Sequence, residues 1–134
     1  MIKAYLSITS HADARNREII ERISQVLATC GFEMVYIRRD IEQGGSIILP
    51  SHELMAATFD AIRSCQILVV DVTEKSVAIG IDAGYAYAHS IPVFTIAQAG
   101  TEISPTLYGL SSAVGFYHNL QDMYDCFVQL GLLG

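Results

Sequence analysis

The chain has 134 residues, 51% apolar and 16% charged. That is enough apolar material for one buried core and too little charge for a disordered chain. Eight basic residues against fourteen acidic ones give a net charge of −6, which argues against broad, charge-driven nucleic-acid binding but leaves room for a local anion pocket built from backbone N–H groups. No apolar run approaches the ~20 residues that cross a bilayer, and Met1-Ile2-Lys3 leads into a strand-like stretch without a signal-peptide pattern. The expectation is a soluble cytosolic protein, one domain over 1–134, with no membrane and no nucleic-acid partner. Cys30, Cys65 and Cys126 are far apart and form no CxxC, and the four histidines are scattered. They read as buried reduced thiols and isolated imidazoles, so neither a metal site nor a cofactor is expected.

Two periodicities alternate along the chain. Ile2 to Ile8 reads as a strand, followed by a helix from Asp13 to Cys30 with Ile19, Ile20, Ile23, Val26 and Leu27 at helical spacing and Gly31 as a stop. Phe32 to Ile37 reads as a second strand. Arg38 to Pro50 is polar, contains Gly44-Gly45, and reads as a mobile loop. Ser51 is the expected N-cap of a helix to about Ser64, with Met55, Phe59 and Ile62 on one face. Ile67 to Val72 is a nearly unbroken apolar run, as suits a parallel strand covered on both faces. An alanine-rich helix is expected over Ile79 to His89 and a strand over Pro92 to Ala97. Pro105 to Ser112 reads as loop or short helix and Ala113 to Tyr117 as a short fifth strand. A last helix starts at Asn119 with Leu120, Met123, Tyr124, Phe127 and Val128 inward and Asp122 near its N-terminus.

This alternation, with right-handed crossovers, implies an α/β fold: a flavodoxin- or Rossmann-like three-layer arrangement around a five-stranded parallel sheet of order 2-1-3-4-5. Ligands of such sheets bind beyond the carboxyl ends of the strands, where strand order reverses. That crevice lies between the first and third strands, under the loops Ser7 to Asp13 and Asp71 to Ser76. Ser76 to Gly80 would then lie at a helix N-terminus, which favours an anion. Gly80 permits close approach of a ligand or another backbone. Asp82 is placed in the first turn, either facing the crevice or as an ordinary dipole-favoured acid. Gly84, costly inside a helix by up to ~1 kcal/mol, is read as a contact with the sheet or a neighbour. Asp71, at the end of the buried strand, is expected to hold loop N–H groups.

The stretch from Cys65 through Ile67-Leu68-Val69-Val70-Asp71-Val72 to Gly80-Ile81-Asp82-Ala83-Gly84-Tyr85-Ala86 resembles the core signature of the nucleoside 2-deoxyribosyltransferase family, in which a strand, a polar loop and G-x-E-x-G-x-A open a helix. It is closest to the branch of 2'-deoxynucleoside 5'-monophosphate N-glycosidases. Lys3-Ala4-Tyr5-Leu6 and Ile91-Pro92-Val93-Phe94 resemble the family's opening and next strands. The resemblance spans most of the chain, and the central segment is its specific part.

It implies cleavage or transfer at the N-glycosidic bond of nucleosides or their 5'-monophosphates through a carboxylate nucleophile and a glycosyl-enzyme, as in retaining glycosidases. Asp82 takes the nucleophile position and Tyr5 that of the tyrosine that positions it or the sugar. Ser76 matches a serine that contacts the 5'-phosphate, a role beside which plain helix capping stays open. Ser104 falls where that branch brings a phosphate-binding serine from a partner subunit. Ser7 and His11 belong to the first loop of the expected site, and the family's homodimeric habit makes Tyr85, Tyr87 and His89 a candidate dimer surface.

The departures from the pattern are specific. Asp82 is one methylene shorter than the family's glutamate, and misplacement by about 1 Å costs ~100-fold in rate. Ile8 replaces a glycine and His11 an arginine. An aspartate of the preceding helix aligns with Thr58, with Asp60 half a turn away as a substitute, and Gln66 replaces an aspartate at the strand start. Arg38 and Arg39 read as solvated charges within reach of an anion. The competing readings are a nucleotide-binding module that has lost catalysis and a TIR-like NAD glycohydrolase. A phosphorelay receiver lacks its acidic cluster here, since the first loop carries Asp13 alone.

Overall fold

The structure is a computed structural model that describes residues 2–11 and 16–132. Among these residues five strands form one parallel sheet: β1 (Ile2–Ile8), β2 (Phe32–Val35), β3 (Ile67–Asp71), β4 (Val93–Gln98) and β5 (Ala113–Tyr117), in the order β2-β1-β3-β4-β5. The expected order 2-1-3-4-5 is the observed one. The register sets Ala4 opposite Ile67 and Ile8 opposite Asp71, so β1 and β3 end level and their loops leave side by side.

Helices cover both faces, and the strands' two-residue alternation decides which face each side chain serves. Ala4 and Leu6 of β1 pack with Ile23, Val26 and Leu27 of α1 (Arg17–Thr29) and with Met123, Cys126 and Phe127 of α6 (Met123–Gln129). Tyr5 faces the other way, with Leu68 and Val70 of β3, Ile62 of α3 (Ser51–Arg63), and Ile79, Ala83 and Ala86 of α4 (Val77–Ala88). All five residues of β3 are buried, as its unbroken apolar run requires. Each fully buried Leu or Ile contributes about 1.5–3 kcal/mol. Gly115 on β5 is a packing requirement: a Cβ there would lie 2.7 Å from the Cys126 carbonyl oxygen.

Several boundaries differ from expectation. The expected first helix reaches back to Asp13, which lies outside the described residues. β2 ends at Val35, and residues expected as strand end and loop form α2 (Ile37–Asp40) and a 3-10 turn at Gln43–Gly45. Asp40 closes α2 by accepting the Tyr36 N–H at 2.8 Å, and Arg39 donates to both Asp40 and the Met34 carbonyl. Ser51 is the first residue of α3, with Pro50 in the cap position. α4 starts at Val77, two residues early, because Ser76 Oγ accepts the Ile79 N–H at 3.3 Å. The loop-or-helix stretch is α5 (Pro105–Leu110), begun by Ser104 Oγ accepting the Thr106 N–H.

α6 starts at Met123 and not Asn119, because Asp122 collects the N–H groups of His118 and Asn119 in a turn. Its phase exposes Tyr124 and Val128, expected inward, and buries Cys126 and Leu130 instead. Cys65 and Cys126 are buried as expected, whereas Cys30 is half-buried. Burial pushes the Cys126 thiol up to about 12.

Candidate active site

Tyr5 and Ser7, two residues apart on β1, point to the same face, and α4 lies across that face with Asp82 directed toward them. Asp82 stands in the second turn of α4, not the first, since the helix begins earlier than its apolar spacing suggests. It is 6% exposed. Ser7 Oγ donates to Asp82 Oδ2 at 2.7 Å, while Oδ1 is buried without a hydrogen-bond partner among the described residues. Burial raises the Asp82 pKa to about 6 against the opposing pull of the Ser7 hydrogen bond.

A carboxylate kept for structure has its oxygens satisfied, because an orphaned buried acceptor costs about 1–3 kcal/mol and a charged one more. One oxygen of Asp82 is therefore anchored and the other is left buried without a partner among the described residues. Tyr5 is 1% exposed, and its phenol is held far above its usual pKa, first by burial and then by the Asp82 charge, with the Thr58 hydroxyl pulling the other way. It stays a neutral donor beside the carboxylate.

Thr58 thus occupies the position where the resemblance places an aspartate, and it is buried. Asp60 does not substitute for it. Asp60 lies on the exposed face of α3, paired with Arg63, because two residues along a helix turn the side chain about 200° away.

Ser76, Gly80 and Ser104 are brought together elsewhere. With Lys75, Thr106 and Leu107 they line a cleft of about 290 Å³ between α4 and α5. It opens on the other flank of α4, and Asp82 lines neither this cleft nor the larger one on the α1 side. Ser104 joins Ser76 within one chain. A Cβ at Gly80 or Gly84 would meet no atom within 4 Å. Gly80 thus leaves room at the cleft, and Gly84 lies on the open side of α4 and does not press on the sheet. Tyr85 is turned inward to stack on Phe59 at 4.1 Å, and Tyr87 remains 55% exposed.

His11 does not reach the Ser76–Ser104 cleft. Its Nε2 lies 2.8 Å from Glu74 Oε1, and Thr9 Oγ1 donates to the Glu74 carbonyl at 3.0 Å, so the loop after β1 is tied to the loop after β3. Asp71 holds the start of that second loop as expected, accepting the Thr73 N–H at 2.9 Å, and it also accepts the Tyr117 hydroxyl at 2.6 Å. Sequence reasoning missed the roles of Glu74 and Tyr117. Their contacts span 63 and 46 residues, and no local spacing signals them.

The fold is that of a doubly wound α/β protein in which Asp82, Ser7 and Tyr5 come together where strand order reverses. By sequence, no protein-family profile and no curated relative matches the chain. Among solved structures it is similar to the CMP N-glycosidase BcmB of Clostridium botulinum, at 14% identity and a TM-score of 0.68, over 94% of this chain and 98% of that one. It is equally similar in fold to a 2-deoxyribosyltransferase of Bacillus psychrosaccharolyticus, at 18% identity and a TM-score of 0.68, over 96% and 95%. A conserved protein from Enterococcus faecalis V583 follows at 12% identity and a TM-score of 0.66. At these identities the likeness is one of fold. Among the described residues no helix is long and apolar enough to cross a membrane.

Proposed function

We propose that the chain cleaves or transfers at the N-glycosidic bond of (deoxy)nucleosides or their 5'-monophosphates. The observation that carries this reading is the Asp82 carboxylate, anchored by Ser7 on one oxygen and unpartnered on the other. With a pKa of about 6 it is mostly ionised at neutral pH. Its free oxygen attacks C1' of the sugar. The bond from C1' to the base nitrogen breaks, its electron pair stays on the base, and solvent water gives the base its proton as it leaves. Water or an acceptor base then attacks C1' and frees the carboxylate. Tyr5, neutral beside Asp82, positions the nucleophile or the sugar.

The Ser76, Gly80 and Ser104 cleft takes the 5'-phosphate at the α4 N-terminus. The presence of a CMP N-glycosidase and a 2-deoxyribosyltransferase among proteins of this fold supports the assignment. In this reading the chain is a homodimer, with a second copy covering the exposed Val77, Ile81 and Tyr87 of α4; sedimentation measures it.

A second reading, a nucleotide-binding module with little turnover, is favoured by one observation: Asp82 is 6% exposed and lines neither cleft. A chromatographic screen of deoxynucleosides, their monophosphates and NAD, with and without an acceptor base, separates the readings. Base release that disappears in Asp82→Ala supports the first. Thermal stabilisation by these ligands without base release establishes the second, and nicotinamide release from NAD alone points to a NAD glycohydrolase.

A further inference from the structure

A second, larger cleft of about 650 Å³ lies on the opposite face of the sheet from Asp82, between α1 and residues 36–44. Its floor is apolar, formed by Ile20, Met34 and Tyr36, and its rim carries Arg17 and Arg38. Such a volume and lining suit a small molecule.

The charges at this rim are unusual for the molecule. The chain has eight basic residues and a net charge of −6, yet neither Arg17 nor Arg38 has a hydrogen-bonding or ion-pair partner among the described residues. Arg39, also at the rim, is spent on Asp40 and the Met34 carbonyl. Arg38 is cradled: a Cβ on Gly45, whose φ is +95°, would lie 2.6 Å from Arg38 Nη2. The guanidinium thus packs over the glycine, and as the far end of a flexible side chain it would swing aside for a Cβ there. Glu21, one turn after Arg17 on α1, is the acid at the rim.

We propose that this cleft binds a small organic phosphate monoester, its ring on the Ile20–Met34–Tyr36 floor and its phosphate between Arg17 and Arg38. A phosphate monoester carries between one and two negative charges at neutral pH and three acceptor oxygens, which matches two uncommitted guanidinium forks. The acidic remainder of the surface disfavours an extended polyanion, so the ligand is small. Of the residues expected at the glycosidic site only His11 also lines this cleft; Asp82, Tyr5, Ser7, Ser76, Gly80 and Ser104 do not.

The test is a backbone amide NMR titration of the full chain with phenyl phosphate, run beside inorganic phosphate and phenol. Saturable shifts at Ile20, Ser24 and Gly44 are expected, with at least tenfold weaker binding in Arg17→Gln/Arg38→Gln. Gly45→Ala should weaken binding severalfold by displacing the Arg38 guanidinium. Asp82→Asn and Ser104→Ala should bind like the parent, whether or not the chain proves to be a glycosidase. No saturable shift, shifts confined to Ser76 and Ser104, or an arginine double variant that binds normally would overturn the proposal. Inorganic phosphate or phenol binding as tightly as phenyl phosphate would overturn the assignment to an organic ester.

Discussion

Two aspartates are buried near the carboxyl ends of β1 and β3, and they are treated differently. Asp71 is 1% exposed, and both its oxygens are engaged, by the Thr73 N–H and the Tyr117 hydroxyl. Asp82 is 6% exposed, with one oxygen held by Ser7 and the other unpartnered. Burial raises the pKa of both. The contrast separates a carboxylate that builds a loop from one left half-unpaired at a cost in stability. It also says what each should do when removed.

The largest effect is expected at Asp82. Asp82→Asn should lower base release on the order of 10³-fold or more, as loss of a nucleophile does. The same change should stabilise the fold at pH 7. The folded pKa of Asp82, about 6, is above the ordinary 3.8, so its contribution to stability is complete below about pH 4 and is lost as pH rises through 6. That loss is about 2–3 kcal/mol. Urea titrations of parent and variant at pH 4 and pH 7 should show the variant's advantage at the higher pH alone; a variant less stable than the parent at pH 7 would break the comparison.

Asp71→Ala should do the reverse. It leaves the Thr73 N–H without its acceptor and the buried Tyr117 hydroxyl with Thr73 Oγ1 alone, and should cost about 3 kcal/mol by chemical denaturation. Equal stability losses at 71 and 82 would erase the distinction. Ser7→Ala removes the hydrogen bond that holds the Asp82 pKa down. The acid limb of the rate profile, expected near pH 6, should move to higher pH, and the newly orphaned oxygen should cost about 1–3 kcal/mol of stability at pH 7. Tyr117→Phe is the smallest of the set, about 1 kcal/mol in denaturation midpoint measurements with base release preserved.

Much of the fold was legible because strand periodicity survives burial. Ile2–Ile8 and Ala113–Tyr117 are strands with the expected bounds, and the apolar run at residue 67 lies in the middle of the sheet. Helix starts were less legible. Polar caps such as Ser76 and Asp122 set them, and whether a polar residue caps or loops depends on which N–H it meets. Helix phase then governs the site. At 100° per residue, starting α4 at Val77 sends Ser76 and Gly80 to one flank and Asp82 to another, and the same geometry turns Asp60 outward. Strand topology and the family resemblance together picked out Asp82, Ser7 and Tyr5, which do meet, but grouped Ser76 and Ser104 with them, which open on a separate cleft. The tether from His11 to Glu74 and the seat of Arg38 on Gly45 join distant or irregular segments, for which the chain carries no periodic signal.

Gly84 offers a concentration-dependent gauge of what lies against α4. A methyl group there meets no atom of its own chain, so Gly84→Ala should raise the melting free energy by up to about 1 kcal/mol through helix propensity. If that gain persists at every protein concentration, the flank faces water. If it shrinks or reverses as the protein is concentrated, a second molecule is resting on the glycine.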